Sequence, residues 1–334
     1  MIIHLEKNIT LQNREAIDNL LKKHHIKAMD VTTQSNHYLV AVLNEETDIR
    51  LFGKMTGVAD VYRVTDSYKL VSRKWKVHPT EIDLGDGVII GEQSFSIMAG
   101  PCSIESEEQI EKIVAQLVKS GIKIMRGGVY KPRSSPYAFR GLGINGLKIF
   151  HQICKTNGIK IITEVMQVSQ IEEMVDYVDI FQVGARNTQN FNLLDALGKV
   201  DKPVLIKRGI SGSIDELLQS AEYIFSSGNE KLMLCERGIR TFENAYRNTF
   251  DINAIPILKE KSHLPVIADP SHGIGIRKHV ANITLAAMIA GADGVIVEMH
   301  YEPEKAFSDG QQTLNFEEFG DLVNRINVLR GIRF

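Results

Sequence analysis

Eight short apolar runs in the second part of the chain each stop at a cysteine, a histidine or a charged residue. Segments with a helical pattern separate the runs, so the order predicts a βα unit repeated eight times. In a (β/α)8 barrel the carboxyl ends of the strands form the active face. The pattern therefore predicts an enzyme whose site uses the polar residues that end the runs: Cys102, Arg126, Glu164, Arg186, Lys207, Arg237, Asp269 with His272, and Glu298 with His300.

One subset, together with a later carboxylate, could bind a divalent metal ion. We expect each ligand to follow a different strand, so that the set converges only if the barrel closes. A thiolate, an imidazole and two carboxylates suit Mn²⁺, Fe²⁺, Co²⁺ or Zn²⁺ better than Mg²⁺. A lone cysteine or histidine is commonly a packing or loop residue, and His300 remains an alternative ligand. The candidate ligands are Cys102, His272, Glu298 and Asp309.

Six cations form a second candidate set. Four of them directly follow apolar strand cores, where an unpaired charge would be costly to bury. Phosphate or carboxylate groups suit such a cluster, because arginine offers a bidentate fork and lysine a point charge. The set predicts one or two substrates with several negative charges: Arg126, Lys131, Arg133, Arg186, Lys207 and Arg237.

The elements that position these residues are preceded by a separate unit. Residues 1–70 show a βαββαβ pattern, which is typical of a ferredoxin-like domain. This domain could be a packing or oligomerisation appendage, or a regulatory domain that binds a small effector. Residues 71–94 are interpreted as a basic linker followed by a hairpin that caps the barrel, and residues 95–334 as the barrel. The predicted fold class is therefore α/β, a (β/α)8 TIM barrel with a small N-terminal domain.

Composition excludes several other classes of protein. The 334 residues exceed the roughly 250 of a bare barrel, which leaves room for a small extra domain. A net charge of −2 gives no basic field for nucleic acid. We find neither a signal-peptide layout nor an apolar run near the roughly 18 residues of a membrane span. Three widely spaced cysteines suit a reducing compartment, so a cytoplasmic location is predicted.

Several motifs in the chain resemble 3-deoxy-D-arabino-heptulosonate 7-phosphate (DAHP) synthase. The resemblance covers about residues 68–330 and lies in the type Iβ branch that carries an N-terminal ferredoxin-like domain. The sister enzyme, 3-deoxy-D-manno-octulosonate 8-phosphate synthase, usually has Ala-Asn in the loop where this chain has a cationic tripeptide. That tripeptide favours erythrose 4-phosphate as the aldehyde. The matching motifs lie at 100–106, 131–136 (Lys-Pro-Arg-Ser-Ser-Pro), 184–187, 207–209, 235–238 and 269–272.

The resemblance implies two substrates and a metal ion, most commonly Mn²⁺. The metal would polarise the aldehyde oxygen, the enol-phosphate methylene would attack the aldehyde carbon, and Lys131 would protonate the new alkoxide. Phosphoenolpyruvate would bind to Arg126, Lys131, Glu164, Ala185, Arg186, Lys207 and Arg237. Erythrose 4-phosphate would bind to Lys131, Pro132, Arg133, Ser134 and Asp269.

The resemblance also implies feedback inhibition by tyrosine or phenylalanine through residues 1–70, and a homotetramer. Two other functions remain open at this point. A Schiff-base aldolase could use Lys207 as its nucleophile, since a lysine at a strand end is the usual place for one. A catalytically silent sensor is less consistent with a complete set of ligands and cations. Cys235 could also lie close enough to Cys102 to form a disulfide with it.

Overall fold

The computed structural model describes residues 1–43, 47–133 and 135–331. Its first elements form a four-stranded antiparallel sheet in the order β2-β3-β1-β4, with two helices. This arrangement confirms the predicted βαββαβ pattern. The elements are β1 (Ile2–Leu5), α1 (Leu11–Lys23), β2 (Ala28–Thr32), β3 (His37–Ala41), α2 (Arg50–Gly53) and β4 (Val58–Tyr62).

The small sheet buries both of its faces, as the period of two along β1 shows. Ile3 and Leu5 pack with α1 in the core of the small domain. Ile2, which has the opposite parity along β1, belongs to the hydrophobic cluster of the barrel. On that second face the Tyr38 ring lies 5.4 Å from the Trp75 ring, centroid to centroid. The N-terminal sheet is therefore packed against the rest of the chain.

The basic linker after β4 is bound to the barrel more closely than its charge suggests. Leu70 and Val71 are buried, and their backbone N–H groups donate to the Glu222 carboxylate at 2.9 and 3.0 Å. The Trp75 indole donates to Leu70 O at 2.8 Å. Lys74 remains exposed. The linker thus connects the two parts of the chain through buried hydrogen bonds.

A short hairpin closes one end of the barrel. Its strands, β5 (Ile82–Asp83) and β6 (Ile89–Ile90), pair antiparallel. Ile82 and Ile90 pack with the apolar layer inside the barrel. Asp86, in the turn, pairs with Lys160 at the start of a barrel strand, with 2.7 Å between carboxylate and ammonium. The hairpin therefore covers the amino-terminal mouth, opposite the candidate site.

Eight parallel strands form a closed barrel, which confirms the predicted (β/α)8 architecture. Each strand pairs with its sequence neighbours, and β14 returns to pair with β7. The strands are β7 (Ser96–Gly100), β8 (Ile124–Arg126), β9 (Lys160–Val165), β10 (Ile180–Val183), β11 (Val204–Lys207), β12 (Leu232–Glu236), β13 (Val266–Ala268) and β14 (Gly294–Glu298).

Helices cover the outside of the barrel. Two of them begin with reciprocal capping boxes, Ser213 with Glu216 and Asn315 with Glu318, which satisfy backbone N–H groups at the first turn. The helices are α3 (Glu107–Lys119), α4 (Gly143–Thr156), α5 (Val168–Met174), α6 (Phe191–Leu197), α7 (Ile214–Ser226), α8 (Ala254–Lys261), α9 (Pro270–Ile274), α10 (Arg277–Ile289) and α11 (Phe316–Arg330).

Candidate active site

The period of two along each strand determines which polar side chains enter the site. Residues of one parity fill the barrel interior, and the residue two positions later extends the same row toward the carboxyl end. Ile124, for example, lies in the interior layer and is followed by Arg126. The other interior residues and their polar successors are Ile162 and Glu164, Ile180 and Gln182, Leu205 and Lys207, Cys235 and Arg237, Ile267 and Asp269, and Ile296 and Glu298.

Three of the four predicted metal ligands form one compact group. The ligand atoms of Cys102, Glu298 and Asp309 all lie within 4.8 Å of one another. The Cys102 thiol is 3.0 Å from Asp309 Oδ2 and donates to it. Asp309 has a φ of 54°, a left-handed conformation that is uncommon outside glycine. The backbone is thus held in a less favourable state at one of the candidate ligands.

His272 lies at the edge of this group. Its Nε2 is 3.4 Å from Glu298 Oε1, and its Nδ1 is 2.8 Å from Asp269 Oδ2. Asp269 also caps α9, because its carboxylate accepts the backbone N–H of His272. A carboxylate at Nδ1 leaves Nε2 as the free lone pair, which is the usual arrangement around a metal-ligating histidine.

His300 is placed differently from His272. Its Nδ1 accepts the backbone N–H of Glu302 at 2.9 Å, and its Nε2 is 4.0 Å from Glu105. The ring is stacked on Tyr301. Within the described residues His300 takes no part in the compact group, so the structure favours His272 as the histidine ligand.

The expectation that each ligand follows a different strand was wrong for Asp309. Glu298 ends β14, and Asp309 lies in the long connection after that same strand. The connection folds back so that the backbone N–H of Leu314 donates to Glu298 O at 2.9 Å. The sequence pattern does not show this return, because it depends on a contact between residues sixteen positions apart.

The pKa values of Cys102 and Asp309 indicate that the group would accept a cation. Burial, together with nearby Glu298, raises the pKa of the Cys102 thiol to about 12, although Lys131 Nζ lies 3.1 Å from the sulfur. Burial alone would raise the pKa of Asp309, but the hydrogen bond from Cys102 and the neighbouring His272 lower it to about 2. The proton on the Cys102 thiol therefore lies among buried acceptor atoms, and a divalent cation would fit in its place. The donor set of sulfur, nitrogen and oxygen suits Mn²⁺, Fe²⁺, Co²⁺ or Zn²⁺.

A cavity of about 480 Å³ opens above this group. Of the predicted residues, Cys102, Glu298 and Asp269 lie buried beneath it, and Ser134 lies outside the described residues. All six predicted cations and four more predicted residues line the cavity together with Asp309: Arg126, Lys131, Pro132, Arg133, Glu164, Ala185, Arg186, Lys207, Arg237 and His272.

The cations differ in whether a carboxylate already neutralises them. Arg126 pairs with Glu298 at 3.0 Å, and Lys207 pairs with Asp269 at 2.5 Å. Arg237 is 6% exposed, and burial lowers the pKa of its guanidinium. Within the described residues it has no carboxylate at ion-pair distance, and Arg186 has none either. The buried guanidinium of Arg237 therefore calls for an anionic ligand, and Arg186 lines the same cavity.

Sequence reasoning missed several residues at this site. Gln182 follows the parity rule two positions after Ile180, so that signal could have identified it. Arg240, Arg247 and Asn248 line the cavity from the loop after β12, which has no periodic pattern.

Arg208 and the three cysteines are all buried. Arg208 pairs with Glu236 and Asp251, each at 2.9 Å, so carboxylates rather than a substrate phosphate neutralise it. Cys102, Cys154 and Cys235 are free and buried. Cys235 belongs to the apolar layer inside the barrel.

Close packing at the cavity wall requires one glycine. A Cβ atom on Gly184 would lie 2.0 Å from Glu164 Oε1. The glycine therefore leaves room for the Glu164 carboxylate at the wall.

None of the helices described has both the length and the apolar character that a membrane span requires.

Comparison with known proteins shows which family the chain belongs to. The sequence profile of the DAHP synthetase I family matches residues 74–329. The phospho-2-dehydro-3-deoxyheptonate aldolase of Thermotoga maritima is 44% identical over 331 residues, covering 98% of this chain and 97% of the relative. The 2-dehydro-3-deoxyphosphooctonate aldolase of Syntrophobacter fumaroxidans is 31% identical over 259 residues, covering 72% and 88% respectively.

Solved structures give the same result. The crystal structure of the Thermotoga maritima phospho-2-dehydro-3-deoxyheptonate aldolase (DAHP synthase) matches with a TM-score of 0.79 at 44% identity, covering 99% of this chain and 97% of that one. A truncated form of the Thermotoga maritima enzyme matches with a TM-score of 0.75 at 47% identity, covering 79% and 97%. These matches confirm the resemblance predicted from the motifs, and the chain belongs to the DAHP synthetase I family.

Proposed function

We propose that this enzyme condenses phosphoenolpyruvate with erythrose 4-phosphate and water, giving DAHP and phosphate. The observation that carries the proposal is the buried guanidinium of Arg237, which lines a cavity beside Arg186 with no carboxylate at ion-pair distance among the described residues. Both substrates are anions, so their phosphate and carboxylate groups would supply the missing charge. The candidate metal group forms the floor of the same cavity, where the aldehyde would react.

The cations divide naturally between the two substrates. The side chains nearest the metal group, together with Arg186 and Arg237, would hold the phosphate and carboxylate of phosphoenolpyruvate: Arg126, Lys131, Arg186, Lys207 and Arg237, with Glu164 and Ala185 beside them. Arg133 and Ser134 would hold the phosphate of erythrose 4-phosphate, with Lys131 and Pro132 near its aldehyde end. Asp269 would not reach the substrate from the cavity wall but would hold Lys207 and His272, because it is buried under both of them.

The residues of the compact group would hold a divalent metal ion, with Mn²⁺ as the first candidate. Cys102, His272, Glu298 and Asp309 would be its ligands, and the bound ion would supply Lewis-acid polarisation of the aldehyde oxygen. Asp269 would keep the Nδ1 proton of His272 in place, and Arg126 would hold one oxygen of Glu298. The protein thus fixes two of the four ligands through a second set of hydrogen bonds.

The contacts of Lys131 support a role for it as the proton donor. Its ammonium nitrogen is 2.9 Å from Cys102 O and 3.1 Å from Cys102 Sγ. Both contacts hold the ammonium beside the metal group, at the wall of the cavity. Lys131 would therefore donate a proton to the alkoxide that forms when the new carbon–carbon bond closes.

The octulosonate reaction, which uses arabinose 5-phosphate, is the alternative for this site. The cationic tripeptide Lys131-Pro132-Arg133 lines the cavity and supports the shorter aldehyde. Consumption of phosphoenolpyruvate should be measured with each aldehyde, before and after EDTA treatment and Mn²⁺ addition. Turnover with erythrose 4-phosphate alone, lost with EDTA and restored by Mn²⁺, is the expected result. Turnover with only the five-carbon sugar would contradict the proposal.

For the N-terminal domain we infer a regulatory role, with tyrosine or phenylalanine as the effector and a cytoplasmic homotetramer as the working form. Support comes from the second face of the small sheet, where Tyr38 packs 6.2 Å from Phe225 of α7. A truncation should begin at Val64, so that the linker keeps its bonds to the barrel. The truncated enzyme should retain turnover and lose inhibition. Inhibition that survives truncation would contradict the regulatory assignment.

A further inference from the structure

Gln312 is a buried residue that joins two charged side chains at the metal group. Its Nε2 is 2.5 Å from Glu298 Oε2, and its Oε1 is 2.6 Å from Arg247 Nη1. A carboxylate only accepts and a guanidinium only donates, so these partners fix the orientation of the amide. We propose that Gln312 is a positioning residue that orients the Glu298 carboxylate toward the metal ion, and that Arg247 holds the Gln312 amide in place.

The two oxygens of Glu298 have different partners. Oε1 accepts from Arg126 Nη1 at 3.0 Å and lies 3.4 Å from His272 Nε2. Oε2 accepts from Gln312. Each carboxylate oxygen has two lone pairs, so a donor at each oxygen fixes the plane of the group and leaves lone pairs for a cation. With Gln312 removed, Arg126 would hold only one oxygen, and the carboxylate could rotate about its Cγ–Cδ bond.

A single turn carries both Gln312 and the ligand Asp309. The carbonyl of Asp309 accepts the backbone N–H of Gln312 at 3.3 Å and the hydroxyl of Thr313 at 2.9 Å. The turn begins at the left-handed φ of Asp309. One side of the turn therefore presents a carboxylate ligand, and the other presents the amide that orients the second carboxylate.

Arg247 connects this turn to a different loop. It lies in the loop after β12, and its Nη1 also contacts Asp309 Oδ1 at 3.2 Å. The Arg247 side chain is 38% exposed, so it reaches Gln312 and Asp309 from the cavity rather than from the core. The same nitrogen thus holds the Gln312 amide and the Asp309 carboxylate in one arrangement. Removing Arg247 should free both without disturbing the barrel interior.

The proposal rests on the metal site proposed above, so its test must measure metal binding directly. Full-length metal-free protein should be titrated with Co²⁺ while the thiolate-to-cobalt absorption band is recorded. Loss of a partner that orients a ligand typically costs 10- to 100-fold in metal affinity, so Gln312→Leu should raise the Kd by about that factor and shift the band. The matched control is Gln311→Leu, because Gln311 is the exposed neighbour and should keep the wild-type Kd and band.

The outcomes distinguish a failure of the Gln312 proposal from a failure of the metal site itself. A wild-type Kd and band in folded Gln312→Leu would overturn the role of Gln312. If that variant does not fold, Gln312→Met replaces it, since methionine has nearly the same length as glutamine but no amide: a Kd several-fold above wild type supports the proposal, and an unchanged Kd overturns it. Absence of the thiolate band in the wild-type protein would overturn the metal site itself, and the positioning role with it.

Discussion

Lys207 Nζ lies 2.5 Å from Asp269 Oδ2, and both side chains are almost completely buried. The lysine ends β11 and the aspartate directly follows β13, so the ion pair joins two strands of the barrel. The same carboxylate also holds His272. Attack on a carbonyl would take the Lys207 nitrogen out of this contact and leave Asp269 buried without one of its two side-chain partners. The geometry therefore gives Lys207 the role of a fixed cation rather than a nucleophile.

The first prediction is that Lys207 forms no imine. Incubation with phosphoenolpyruvate, erythrose 4-phosphate or pyruvate, followed by borohydride, should leave the intact mass of the protein unchanged. Lys207→Arg keeps a cation beside Asp269 but cannot form an imine, and is the matched control. A reduced adduct that is present in the wild type and absent in Lys207→Arg would establish the Schiff-base aldolase instead.

The second prediction concerns Arg186, which is exposed in the cavity and has no carboxylate at ion-pair distance among the described residues. Arg186→Gln should raise the KM for phosphoenolpyruvate by about 10- to 100-fold, because a hydrogen bond to a charged group contributes roughly 1.5–3 kcal/mol. The melting temperature should change little, since no buried partner loses its charge. Arg140→Gln, an exposed arginine that does not line the cavity, is the control. Equal KM changes in the two variants would count against a substrate contact.

The third prediction separates Arg208 from the substrate cations. Its partner Glu236 is fully buried, so Arg208→Gln would leave an uncompensated charge. We expect a loss of about 3–5 kcal/mol in the free energy of unfolding, measured by urea denaturation. Arg325→Gln breaks an exposed ion pair with Asp321 and should cost less than about 1 kcal/mol. Similar losses in the two variants would show that the Arg208 pair is not structural.

How far the sequence predicts this site depends on which side chains the strand period controls. Arg126, Glu164 and Lys207 extend rows of barrel-interior residues, so alternation and strand ends were sufficient to find them. Arg247 and Gln312 lie in loops, and their positions depend on contacts between the connections after β12 and β14. A pattern of local apolar periodicity carries no information about such contacts.

The same limit explains the error at Asp309. Asp309 was placed after a strand of its own, but the connection that carries it returns to β14, where Met299 bridges with Leu314. In the small domain, the short helix α2 ends at Gly53. Gly57 has a φ of 90°, and its backbone accepts from Glu6 N, so the chain turns into β4 there. The topology was predictable because every βα unit repeats one pattern. The position of Asp309 and the end of α2 instead depend on contacts between distant segments.

The last prediction concerns His263, which links the barrel to the segment before it. Burial, together with nearby Lys76, lowers the pKa of His263 to about 3. The neutral ring uses both nitrogens, since Nε2 donates to Leu70 O and Nδ1 accepts from Thr80 Oγ1, each at 2.8 Å. Below pH 6.5 the unfolded chain binds a proton that the folded protein does not, so stability is present above that pH and falls as the pH decreases toward 3.

Each pH unit in this range should cost about 1.4 kcal/mol for the one proton, or about 2 kcal/mol by pH 5. Urea unfolding of His263→Gln between pH 7.5 and 5 should therefore give a shallower loss of stability than the wild type, because glutamine does not titrate. His78→Gln removes an exposed histidine from the same segment and should keep the wild-type slope. Parallel pH curves for the wild type and His263→Gln would mean that this ring takes up its proton in the folded protein, and that its two buried hydrogen bonds do not hold it neutral.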